Sequence, residues 1–266
     1  MRDSTKILTL LELIGVVNDW EGCNPEPGSG THWIWYRGQS RASDEAVPGA
    51  ERPPFVAQAE KNPISPRDPF ALEKALNTQF LRLGASFFHD DKDLVRIYFL
   101  AQHYGLPTRL LDWTTNPLAA LFFAASDRDE IDGKLFVAKF NRMSQTKPKD
   151  PQTERGNEVV KTIRFLFGGR PKPPAMPGII PVLPSMRFPR MMRQGSCFTL
   201  HMPGADKLQF ISGGKPNSRQ EPTSYVIPGC WKKDMRDQLR RLGVTWAAFF
   251  PELDYLAKEI RASFGL

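Results

Sequence analysis

Three stretches of this chain gather side chains that can do chemistry. The first is Tyr36–Arg37–Gly38–Gln39. An arginine offers a planar fork of donors that matches a phosphate or a carboxylate. A glycine beside it lets a ligand approach bare backbone. The same arginine also fits a structural ion pair at a turn.

The second stretch, His103 to Asn116, is denser. Its fourteen residues hold an imidazole (His103), a guanidinium (Arg109), a carboxylate (Asp112), an indole (Trp113) and the hydroxyls of Thr108, Thr114 and Thr115. It lies between two apolar helical segments and reads as a connection, the kind of segment in which a rigid scaffold presents functional groups. His103 falls in the last turn of its helix, where the helix dipole favours the charged imidazolium. Asp112 either pairs with Arg109 in a structural clasp or faces a ligand. Asn116 stands one residue before Pro117, so its amide reads as an N-cap.

The third stretch is Arg193–Gln194–Gly195–Ser196–Cys197–Phe198, where Gln194 enters a strand beside a glycine. Several familiar devices are missing from the sequence. It has no phosphate-binding glycine loop, no dinucleotide fingerprint, no zinc-protease helix and no nucleophile-elbow serine. Cys23, Cys197 and Cys230 are scattered without metal-ligand spacing, so no metal site is expected. Cys197 and Cys230 sit in apolar segments and read as buried packing residues.

The elements that must position these groups follow from periodicity. Residues 4–19 predict an amphipathic helix, and 32–36 a short aromatic strand that leads into Arg37. Residues 42–69 are proline-laden and read as an irregular excursion. Helices are expected over 71–83 and over 94–104, the latter capped by Asp93 and stopped by Gly105 and Pro107. A helix follows Asn116, and a strand covers 134–140. From about 142 to 193 the pattern dissolves into prolines and basic residues, an expected loop or insertion. Strands are expected at 196–202 and 224–227. The chain then predicts a helix over 232–242 stopped by Gly243, a strand over 244–250 and a helix over 253–264. Together these give an α+β domain spanning the chain, with a mixed central sheet and flanking helices.

Bulk properties agree with a globular protein. Of 266 residues 41% are hydrophobic and 24% charged, and the formal net charge is +7. No apolar run reaches the length of a membrane span, which predicts a cytoplasmic protein without a membrane partner. The positive balance favours anionic partners: nucleotides, nucleic acid or acidic protein.

Tyr36–Arg37–Gly38–Gln39, the run QHYGLPTRLLDWTTNPLAALFFA from Gln102 to Ala124, and Gln194–x–Gly–x–Phe198 together resemble the signature of the FRG-domain family. Phe250 to Asp254 resembles that family's closing segment. The order of elements also resembles, more loosely, the ADP-ribosyltransferase fold. That resemblance implies NAD as substrate, with Arg37 on its pyrophosphate and the Gly38 backbone on its carboxamide. It places Thr114 or Thr115 at the hydroxyl position ahead of a helix, and Gln194 at the late-strand position. Gln39, Thr108 and Arg109 complete the expected binding set, and Asp112, Gln194 and His103 the catalytic one. Gln194 departs from the pattern because it is neutral where a carboxylate normally offsets charge developing on the ribose. Asp112 then has to supply that charge, or the activity is weak or absent.

Two functions follow as expectations, beside the plainer reading that Arg37, His103 and Asp112 form one buried polar network that only fixes the fold. One is an NAD-consuming enzyme of toxin or defence-effector type, transferring ADP-ribose to a protein, a nucleic acid or water. The other is a non-catalytic nucleotide- or nucleic-acid-binding module, which the positive charge and the basic, proline-rich 142–193 segment favour.

Overall fold

A computed structural model describes residues 5–6, 9–21, 32–61, 70–88, 93–141, 158–170, 178–184, 188–202 and 223–264. The elements run β1 (Thr5–Lys6), α1 (Leu10–Glu21), β2 (His32–Gln39), α2 (Pro53–Glu60), α3 (Ala71–Leu83), α4 (Leu94–His103) and β3 (Leu110–Thr114). They continue with α5 (Pro117–Ala125), β4 (Gly133–Asn141), α6 (Glu158–Leu166), β5 (Ile179–Val182), α7 (Pro189–Arg193) and β6 (Ser196–His201). The last are β7 (Thr223–Ile227), α8 (Lys232–Arg241), α9 (Trp246–Phe249) and α10 (Leu253–Ser263).

The strands form one sheet in the order β1-β7-β4-β2-β3-β6-β5. β1 runs parallel to β7, and every other pairing is antiparallel. This is the mixed sheet with flanking helices expected of an α+β chain. β2 pairs with β4 from His32↔Asn141 to Gln39↔Lys134, and β3 pairs with β6 from Leu110↔Leu200 to Thr114↔Ser196. β2 and β3 register only at Tyr36↔Thr114. Beyond that pair the two strands part, and the sheet forks.

Strand alternation sorts the side chains onto two faces. Tyr36, Leu135 and Val137 pack against the small and aromatic residues of α5, with α1 and α8 behind them. On the same face Leu110, Phe198 and Leu200 meet Tyr98 and Phe99 of α4 and Val159 and Ile163 of α6. The opposite face collects Trp35, Leu111, Trp113, Ala138, Phe140 and Cys197. α5 lies unusually close to the sheet. A Cβ on Gly38 would stand 1.8 Å from the Ala120 carbonyl oxygen, and one on Gly133 would stand 2.2 Å from that of Ala124. Glycine at position 38 therefore serves helix packing, whereas the sequence suggested close approach by a ligand.

Several expectations are corrected. Leu110–Thr114 is a strand, not part of a connection. It is buried at every position except Asp112, so neither period shows in the sequence. Residues 246–249 form a short helix where a strand was expected. Thr245 caps it by accepting from the Ala248 amide at 3.3 Å. The 42–69 excursion holds a 3₁₀ turn at Gly49–Glu51 and then α2, whose two prolines occupy its first turn. The described parts of 142–193 contain α6, β5 and α7, and α6 buries Val159, Val160, Ile163 and Leu166. Cys197 is buried as expected, Cys230 is exposed, and Cys23 lies outside the described residues. No described helix is long and apolar enough to cross a membrane. No cluster suited to a metal ion occurs among the described residues.

Candidate functional site

The fork between β2 and β3 opens into a cleft of about 780 Å³. That size falls among ordinary ligand sites, roughly 300–1,000 Å³. Its polar lining includes Arg37, Gln39, Gln102, His103, Asp112 and Gln194, and Phe99, Trp113, Phe123 and Phe198 supply apolar wall. Side chains from β2, α4, β3 and the α7–β6 turn thus converge on one space.

Arg37 is half-buried in this lining. Its Nη1 donates to the Asp112 main-chain carbonyl at 2.7 Å, and its Nε donates to Gln39 Oε1 at 3.4 Å. None of its described partners is a carboxylate. Burial lowers the guanidinium from its ordinary value to about 10, Asp112 opposes the shift and Arg52 adds to it. The group remains cationic at neutral pH. Arg52 and Arg190 also line the cleft without a carboxylate partner among the described residues, and Arg190 lies over the Phe250 ring at 4.3 Å.

Asp112 is the exposed position of its strand and meets the cleft. Gln102 Nε2 donates to its Oδ2 at 2.8 Å. The orientation of that amide is fixed in turn. The Leu110 amide donates to Thr108 Oγ1 at 3.1 Å, and the Thr108 hydroxyl donates to Gln102 Oε1. With Oε1 turned to Thr108, Gln102 shows its NH₂ to Asp112, whose carboxyl oxygen accepts. Sequence reasoning overlooked Gln102. Its signals were its place at the head of the FRG-like run and a polar side chain in the last turn of an otherwise apolar helix.

The expected residues divide. Arg37, Gly38, Gln39, His103, Asp112, Thr114 and Gln194 come together around the cleft, whereas Thr108, Arg109 and Thr115 do not line it. Arg109 is buried instead, with Nε 2.8 Å from Glu73 Oε2 and Nη1 3.3 Å from Glu51 Oε1. The clasp with Asp112 is therefore absent, and the guanidinium is engaged by two carboxylates from α3 and the 3₁₀ turn. Thr115 donates to the Gly195 carbonyl at 3.3 Å. Thr114 donates to the Gln194 carbonyl at 2.5 Å and accepts from the Asn116 amide at 2.9 Å. Asn116 caps α5 by accepting from Leu118 and Ala119. Gln194 itself donates to the Phe249 carbonyl at 3.4 Å.

His103 differs from expectation in its charge. Burial, followed by Arg190, lowers its pKa, and Glu252 and Asp112 oppose that. Its pKa lies below the usual value, against the direction the helix dipole alone would give. Behind the cleft, Lys232 is fully buried, and its ammonium donates to the carbonyls of Ser40 (2.7 Å), Asp127 (2.6 Å) and Arg128 (3.0 Å). Ser40 lines the cleft, so this clasp from α8 fixes the end of β2.

Against known proteins, residues 32–133 match the family model of the FRG domain. The match runs from the start of β2 to the start of β4 and includes Arg37, Gln102, His103 and Asp112. Gln194 and the closing 250–254 segment lie outside it. No curated protein and no solved structure matches the chain.

Proposed function

We propose that this FRG-domain protein binds NAD in the forked cleft and breaks its nicotinamide–ribose bond, passing ADP-ribose to an acceptor or to water. The observation that carries the reading is the separation of two opposite charges in one cleft. Arg37 is a half-buried cation whose described partners are an amide and a carbonyl. Asp112 presents a carboxylate oriented by Gln102. A dinucleotide supplies what each group lacks: pyrophosphate oxygens for the guanidinium fork, and a sugar that turns cationic in front of the carboxylate.

In this reading the C1′–N bond of the nicotinamide riboside breaks with its electron pair leaving on neutral nicotinamide. Positive charge develops on the ribose, and Asp112 stabilises it. Gln194 carries no charge and is confined to positioning. The aromatic wall supplies stacking surface for the base.

The test is release of nicotinamide from labelled NAD by wild type, Arg37→Ala and Asp112→Asn, each checked for folding. Release by wild type, with binding lost in the first variant and turnover lost in the second, supports the reading. Release undiminished in both variants sinks it. Absence of release together with polynucleotide binding that weakens steeply with salt would favour a non-catalytic anion-binding module instead.

A further inference from the structure

Beside Asp112, His103 lines the cleft and meets Glu252, which stands behind the lining, and the bond-breaking step uses neither. His103 closes α4 with its side chain 14% exposed, and its Nε2 lies 3.8 Å from Glu252 Oε1. The other carboxylate oxygen, Glu252 Oε2, is buried and makes no hydrogen bond among the described residues, although the side chain as a whole is 40% exposed. Buried acceptors are normally satisfied, so this one oxygen, beside a titratable ring, calls for a reason. The imidazole packs edge-on against Tyr104 at 4.8 Å and has no hydrogen bond among the described residues. The charged groups facing it are Arg190 from α7, Asp112 from β3 and Glu252 from the turn before α10.

We propose that His103 and Glu252 form a general-base dyad that removes the proton from the nucleophile attacking the ribose carbon. The role rests on the NAD reading above. Burial and Arg190 keep the resting ring neutral and so able to accept a proton. In the dyad the N–H lies on Nε2, toward Glu252, and Nδ1 is the basic nitrogen. The gap of 3.8 Å exceeds a hydrogen bond but lies within reach of one that tightens when charge appears. The step balances. The acceptor's O–H or N–H lone pair forms the new bond to C1′, its proton passes to His103, and the imidazolium is matched by Glu252. Nicotinamide has already left with the electrons of the broken bond.

The first arm of the test needs no turnover. Full-length protein with labelled histidine is titrated by NMR, and the His103 signal is identified by its loss in His103→Gln. The expected midpoint lies below that of free histidine. In Glu252→Gln it falls by about one pH unit more, as loss of a near carboxylate requires. An unmoved midpoint overturns the dyad whatever the turnover.

The second arm uses NAD with water as acceptor. In wild type kcat falls as pH drops through the His103 midpoint. In His103→Gln that limb disappears and kcat drops about a hundredfold, the usual scale of acid–base assistance, with KM for NAD held. Added imidazole restores part of the rate of His103→Ala. Turnover whose pH profile is the same in His103→Gln as in wild type overturns the base role. No nicotinamide release, with the Glu252-dependent midpoint present, removes the NAD reading and the base role while leaving the ion-pairing partner intact.

Discussion

Arg37 reaches the backbone of Asp112 and leaves its side chain alone: Nη1 bonds the main-chain carbonyl at 2.7 Å, while Gln102 takes the carboxylate at 2.8 Å. The two strands that carry these residues share one register pair and then diverge. A cation and an anion thus face one cleft without neutralising each other. A direct ion pair would close the site. This geometry leaves both side chains facing the cleft.

Binding of an anionic nucleotide should depend on the shape of the Arg37 side chain as well as its charge. Arg37→Lys keeps the charge but loses the fork. Nucleotide affinity is expected to fall by about ten- to a hundredfold, the worth of a charge-assisted bond of roughly 1.5–3 kcal/mol. Calorimetric titration with NAD measures it. An unchanged affinity in Arg37→Lys would mean that the fork is not used.

The chain from Thr108 through Gln102 to Asp112 should act on turnover and leave binding alone. Gln102→Leu and Thr108→Val each free the Asp112 carboxylate to rotate, whereas Thr108→Ser keeps the hydroxyl. Turnover is expected to drop about tenfold or more in the first two, with NAD affinity held, and to survive in the serine variant. Equal loss in Thr108→Ser and Thr108→Val would show that packing at this buried position matters and the hydroxyl does not.

Glycine at position 38 should be indispensable to the fold. An added methyl would overlap the Ala120 carbonyl, and α5 would have to move off the sheet. Gly38→Ala is expected to destabilise by about 3 kcal/mol or more. Gly15, inside α1 with open space around it, is the contrast: Gly15→Ala should stabilise by about 0.5–1 kcal/mol. Denaturant unfolding of both variants decides the point, and a mild Gly38→Ala would contradict the packing described.

Stability should carry a pH signature from Glu73. Burial raises this carboxyl above its ordinary value although Arg109 and Tyr98 bond to it and oppose the shift. The folded state then holds the proton in a window above pH 4.5 where the unfolded chain has released it. With more protons bound when folded, stability falls as pH rises through that window. Thermal unfolding across the window should show this slope in wild type. Glu73→Gln, less stable overall because Arg109 loses a buried partner, should lack that component of it.

Much of this molecule was legible in the chain because it is written in local code. Asp93 and Asn116 cap their helices as their side-chain chemistry requires, and Gly243, at a φ of +77°, ends α8. Motifs resembling those of the FRG domain drew attention to Arg37, His103 and Asp112, and the family match over 32–133 spans these positions. What tertiary structure decided was the partnership of each group. Arg109 and Asp112 lie three residues apart and looked like a clasp, yet Arg109 belongs to Glu73 and Glu51, from elements 36 and 58 residues away. The β3 strand escaped detection because it is buried on both faces, which erases the alternation that marks a strand. The helix position of His103 favours its charged form, and burial, with Phe188 and Arg190 from far along the chain beside the ring, reverses that direction. Capping, helix period and motif are set by neighbours in sequence. Burial, charge pairing and the fork of the sheet arise only when distant segments meet, and the character of the cleft depends on those.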